Sequence, residues 1–151
     1  MIREVAAVPV TETEATERRA QIEQNATRTN PRWSWTGPGV PATKPPFSNI
    51  MVTDDGRLWV RVAQRAEVIP ESELPPLRTD VVPAPVRITT REPVAYDVYA
   101  ADGALLGRVK LPPRTTVIRV RGDFAWGISR NVDDVEFATR FRVTPGIGEP
   151  R

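Results

Sequence analysis

The amino-acid sequence predicts an all-β protein carrying one short N-terminal surface helix. Runs rich in β-branched and aromatic residues recur around Asp-Gly turn signals, the strongest short-range cue for a hairpin. A single stretch near the N-terminus is free of glycine and proline and rich in Glu, Arg, Gln and Ala, which is helical composition. The rest is punctuated by 16 prolines, about twice the usual share, so much of the chain is loop. At 151 residues the chain is long enough for one domain with a real core.

Residues 2 to 10 read as a short extended segment, and Pro9 confines it to a sheet edge. Thr11 followed three residues later by Glu14 is a capping-box signature, which starts a helix running from Glu12 to about Asn25. Its apolar positions, Ala15, Ile22 and Ala26, are few, so it is expected to be a solvated surface helix. Residues 30 to 46 carry Pro31, Pro38, Pro41, Pro45 and Pro46 around Trp33 and Trp35, and are expected to be irregular, with the tryptophans clamping the loop onto the sheet. Hairpins follow at 47–53 and 58–63 about Asp54, Asp55 and Gly56, and at 94–100 and 105–111 about Asp102 and Gly103. A looser third lies at 115–120 and 124–129 about Gly122 and Asp123. The last strand, 135–143, alternates cleanly, and places Phe137 and Phe141 on the face expected to be buried. Between the first two hairpins, residues 64 to 93 form a long proline-rich insertion, expected to be a functional or flexible loop of little weight for stability.

Composition narrows the chemistry. Without cysteine there is no disulfide framework, thiolate metal site or cysteine nucleophile. Without histidine the commonest general base and metal ligand are missing, which weighs against an enzyme. The isoelectric point near 9.5 reflects the lack of groups titrating near neutrality, because the net charge is only +2. The arginines alternate with apolar residues along strands instead of clustering, so no nucleic-acid partner is expected. No apolar run is long enough to be a membrane span, and the first residues lack the apolar stretch of a signal peptide.

The strings PPFSNIMVTDDGRLWVRV, YDVYAADGALLGRVKLPP and VRGDFAWGISRNVDDVEFATRFRV resemble the C-terminal end of six-bladed β-propellers of the NHL and TolB-like type, found in bacterial exported proteins. The resemblance implies a partial β-propeller of about two blades of antiparallel strands. Residues 1–46 would be an edge strand, the helix and a Pro-rich linker, and 47–151 two consecutive blades, the first complete and the second lacking its fourth strand. Residues 2 to 10 either close that last blade or belong to the preceding one. The parent protein would be exported, to the periplasm or outside the cell.

Rim loops in such an arrangement carry Lys44, Arg65, Arg114, Arg130, Asn131, Asp133 and Asp134 as candidate ligand-binding residues. The run from Arg130 to Asp134 also reads as a turn, since Asn and Asp bond their own backbone, and it lacks the ligand spacing and glycine of a calcium loop. No catalytic residue, metal site or cofactor is assigned. The expected function is a non-catalytic binding or scaffold module, a fragment of a larger propeller or a self-assembling partial one. Its partner would be a protein or a further copy meeting exposed blade faces. The alternative is a remnant of a propeller-type metal-dependent lyase or lactonase, with Asp133, Asp134 or Glu136 as metal ligands.

Overall fold

The computed structural model describes residues 5–76 and 82–143. In chain order the elements are β1 (Val8–Pro9), α1 (Glu12–Thr29), β2 (Thr43–Lys44), β3 (Phe47–Val52), β4 (Leu58–Val62), β5 (Glu67–Val68), β6 (Thr90–Arg91), β7 (Ala95–Tyr99), β8 (Leu105–Lys110), β9 (Thr115–Arg121), β10 (Phe124–Arg130) and β11 (Glu136–Arg142). Among the described residues the fold is all-β with one α-helix, as the sequence predicts.

Two antiparallel sheets carry the core. The first has the order β3-β4-β7-β8 and the second β11-β10-β9. Trp59, Tyr96 and Val98 of the first join Val117, Val120 and Ala125 of the second in one buried cluster, with Met51, Val94, Val109, Leu111 and Val143 packed around it. Trp59 is the largest side chain wholly inside. The turns follow the sequence signals: Gly56 and Gly103 sit at φ 80° and 87°, where a side chain would be strained. Asp54 and Asp55, adjacent in the first turn, have separate partners. Asp55 accepts from the Thr53 hydroxyl, while Asp54 is 2.9 Å from Arg119 of β9.

The N-terminal segment departs from expectation. Among the described residues only Val8 and Pro9 form a strand there, and they pair with Thr43 and Lys44 in a two-stranded ribbon apart from both sheets. Val8 and Pro9 therefore pair with neither of the two larger sheets; residues 2 to 4 lie outside the described residues. Pro9 cannot donate to a ladder, and a ribbon two residues long is the pairing it tolerates.

Helix α1 is longer than its strongest composition suggests. Thr11 caps it, its side chain accepting from the Glu14 N–H at 3.2 Å, and the Asn30 N–H closes it on the Ala26 carbonyl at 2.8 Å. None of its residues is buried. It is nevertheless not decorative, because its polar side chains hold the 64–93 excursion. The Glu17 carboxylate accepts from the N–H and hydroxyl of both Thr89 and Thr90, over 2.5–3.2 Å. Gln24 donates to the Ala84 carbonyl at 2.7 Å and accepts from the Val86 N–H at 3.1 Å. The excursion also pairs with itself through β5 and β6 and makes one 3-10 turn at Glu71–Glu73. It is a folded-back ribbon tied to α1.

Of the two tryptophans, Trp35 lies against a side chain of the helix. Trp33 and Trp35 meet edge to face at 6.1 Å, and the Arg19 guanidinium lies 5.8 Å from the Trp35 ring. Trp35 Nε1 donates to the Gly37 and Pro38 carbonyls. Strand β11 shows the clearest difference. Phe137 is 43% exposed and Phe141 half-buried, because β11 is the outer strand of its sheet and the shared core centres on β9 and β10.

Candidate functional site

The loops at one end of the second sheet meet the excursion. Proline at 112 and 113 ends β8, and Arg114 takes a positive φ of 56° as the chain reverses into β9. At the β10–β11 connection Asn131 Oδ1 accepts from the N–H groups of Asp133 and Val135, at 3.0 and 2.9 Å, and Asp134 adopts φ 64°. The turn reading of this segment holds, for Asn131 spends its side chain on its own loop.

That turn also positions charge. Arg114 Nη2 lies 2.7 Å from Asp134 Oδ1, Arg130 Nη1 3.8 Å from the same oxygen, and Arg130 Nε 2.9 Å from Glu136 Oε1. Across from them Arg91 of β6 holds Glu67 at 2.9 Å and is also paired with Glu73, and Arg87 holds Glu71 at 2.6 Å. Two adjoining clefts run between these groups, of about 870 and 890 Å³, sharing Arg91, Pro113, Arg114 and Arg130. Pro75, Pro76, Pro85, Val86, Ile88 and Val132 make the first apolar. Tyr96, Leu111, Ile118 and Ile128 line the second.

Of the residues singled out from sequence, Arg114, Arg130 and Asn131 thus line one cleft with the insertion, and Asp134 joins them by pairing with both arginines. Asp133 stands exposed in the turn. Arg65 lies elsewhere, in a smaller cleft of about 300 Å³ against residues 5–9, Asp97 and Arg108. Lys44 lines neither of the two larger clefts. Its side chain is 7% exposed, and its ammonium reaches Glu14 at 2.6 Å, Glu92 at 2.8 Å and the Gln64 carbonyl at 2.9 Å. Burial works against this charge, but the hydrogen bonds it donates to Glu14 and Glu92 prevail and hold its pKa above 10.5. Glu92 also accepts from the Gln64 N–H, so Lys44 joins α1, β2 and both ends of the excursion.

A second internal pair was not singled out from the sequence. Asp97 is 4% exposed within β7, and its two oxygens take the fork of Arg108, at 2.6 and 3.1 Å. The two face each other directly in the β7–β8 ladder. Their signal was present: each stands equally far from the Asp102-Gly103 turn, and a charge between Tyr96 and Val98 needs a partner.

Chemically, the cleft offers guanidinium groups already matched with carboxylates, and proline and aliphatic surface between them. Guanidinium groups bind carboxylates through charge-assisted hydrogen bonds of defined geometry. Asp134 and Glu136 each take an arginine, and among the described residues no group of three or more Asp or Glu side chains is placed to hold a metal ion. Among those residues also, no helix is long and apolar enough to cross a membrane.

No family model, curated protein or solved structure matches this chain.

Proposed function

We propose that the chain is a non-catalytic binding or scaffold module that works by association with protein, through the faces of its two sheets. Either further blades of a larger six-bladed propeller or copies of this chain would supply the contact. The observation that carries the reading is the apolar surface of β3. Phe47 and Ile50 are each 53% exposed and Val52 68%, on an outer strand of the first sheet. Ile50 and Val52 stand two residues apart and so share one side of β3, opposite Met51, which packs on the core. Contiguous apolar surface of this kind marks an interaction site. The strand orders of the two sheets agree with one complete four-stranded blade and three strands of a second.

Ion pairing supports the non-catalytic half of the proposal. The cleft carboxylates Glu67, Glu73, Asp134 and Glu136 all accept from arginines, so each is engaged in holding the loops together. Light scattering after size exclusion tests the association. Self-assembly of two-blade units predicts a trimer, which Ile50→Ser with Val52→Ser dissolves. A wild-type protein that stays monomeric and captures no partner blade overturns the reading.

A further inference from the structure

Four strands form the outer edges of the two sheets, and they are not alike. The ladders that hold β3, β8 and β9 each contain a register shift, at Phe47/Asn49, Val98/Tyr99 and Trp126/Gly127. Irregularities of this kind keep an edge from pairing with a foreign strand. The fourth edge, β11, runs seven residues against β10 with no shift, proline or glycine. Among the described elements it touches only β10.

Backbone directions define what β11 offers. The Val143 N–H donates to the Asp123 carbonyl at 2.7 Å, and the Val135 carbonyl accepts from the Asn131 N–H at 3.1 Å. Odd-numbered residues therefore bond toward β10, and by alternation Glu136, Ala138, Arg140 and Arg142 direct their N–H and C=O groups outward. An added antiparallel strand must bond to these four.

About Thr139 the side chains of β11 match as like apolar residues, Val135 with Val143 and Phe137 with Phe141, and as opposite charges, Glu136 with Arg142, while Ala138 stands against Arg140. We propose that a second copy of this chain pairs with β11 edge to edge, antiparallel about a two-fold axis at Thr139. In that register Glu136 faces the Arg142 of the other copy, and Ala138 its Arg140, as outward-bonding pairs. Phe137 and Phe141 become close non-bonded pairs, the arrangement in which cross-strand aromatics interact best. The exposure of Val135 and Phe137, 54% and 43%, is what such a strand would cover. Shifting the register by one step places Arg140 against Arg140. The opposite step leaves Phe137 against Thr139 and shortens the ladder. Glu136 can serve two arginines, since both Arg130 bonds go to Oε1. The two-fold contact joins the three-stranded sheets into one of six strands and is independent of the apolar face of β3.

A charge swap decides the matter, read by sedimentation equilibrium across about 1 µM to 1 mM in an Ile50→Ser, Val52→Ser background, where face association is removed. We expect a concentration-dependent dimer. Glu136→Arg and Arg142→Glu should each weaken it at least about tenfold by placing like charges opposite each other, and the double variant should restore it. Ala138→Pro should abolish it, because it removes an outward N–H and leaves the β10 ladder intact, as far-ultraviolet circular dichroism would verify. A monomer throughout the range, or a dimer that the single swaps leave unchanged or the double swap fails to restore, overturns the proposal.

Discussion

Replacing Lys44 by alanine leaves the Glu14 and Glu92 carboxylates about one site with no cation between them. Breaking a buried pair in this way costs about 3 kcal/mol or more, which a urea denaturation curve measures directly. A loss under about 1 kcal/mol would mean that water replaces the ammonium without penalty. Because its folded pKa is raised, the contribution of Lys44 is complete below its ordinary 10.5 and is lost as pH climbs through the higher folded value. Glu17 has the opposite sign. Its burial raises its pKa, but the four bonds from Thr89 and Thr90 outweigh that and hold it below 4.5. The Glu17 clasp therefore stabilises fully above pH 4.5 and is lost as pH falls through the lower folded value. Protection of the Thr89 and Thr90 amides against hydrogen exchange, relative to free peptide at the same pH, should fall over that acidic window in the wild type and be low at every pH in Glu17→Ala. Neither residue could be read from the sequence as an anchor, since Glu17 lies 72 residues from Thr89 and Lys44 lies 48 from Glu92.

Among the elements, α1 and the 64–93 excursion stabilise each other, and the excursion is the more dependent of the two. Trypsin should cut the wild type slowly at Arg65, Arg87 and Arg91, and several-fold faster once Glu17→Ala and Gln24→Ala release the ribbon. Equal rates would show that the clasp contributes nothing to order. Strand β11 invites a second measurement. Phe141 is half-buried, so Phe141→Ala should cost about 1–2 kcal/mol, short of the 3–5 of a core phenylalanine. The strands were legible because hairpin chemistry is local: Asp55-Gly56 and Asp102-Gly103 set their own turns and register. Alternation in β11 was also legible, but alternation reports which residues share a face and cannot report whether anything covers it. The packing of the excursion was hidden for a related reason. Its prolines signal irregular backbone truthfully, yet its anchors are side-chain bonds to a helix far away in sequence.

For the whole molecule, the same logic separates two modes of association. The proposed face contacts through Phe47, Ile50 and Val52 would be apolar, so they should strengthen in sulfate and change little with pH near neutrality. The rim residues of the cleft were legible as a group because Arg114, Arg130 and Asn131 all lie at strand ends of one sheet. Arg65 was not separable from them, since nothing local indicates which end of β4 its loop would turn toward. The N-terminal ribbon was similarly opaque: the pairing of Val8 with Lys44 is a matter of where the Pro-rich segment returns, and proline sets no register.

The reach of the Glu17 clasp has a consequence in time as well as in stability. Hairpins close over a few residues, whereas joining α1 to Thr89 and Thr90 closes a loop of 72 and yields its reward only after the first sheet has formed. The helix should therefore dock after the rate-limiting barrier. Glu17→Ala would then leave the folding limb of a chevron almost unmoved while steepening the escape from the native state, raising the unfolding rate about tenfold for each 1.4 kcal/mol lost. On that reading α1 acts as a latch that sets the lifetime of the folded chain, and stopped-flow unfolding of the variant is where its removal would be seen.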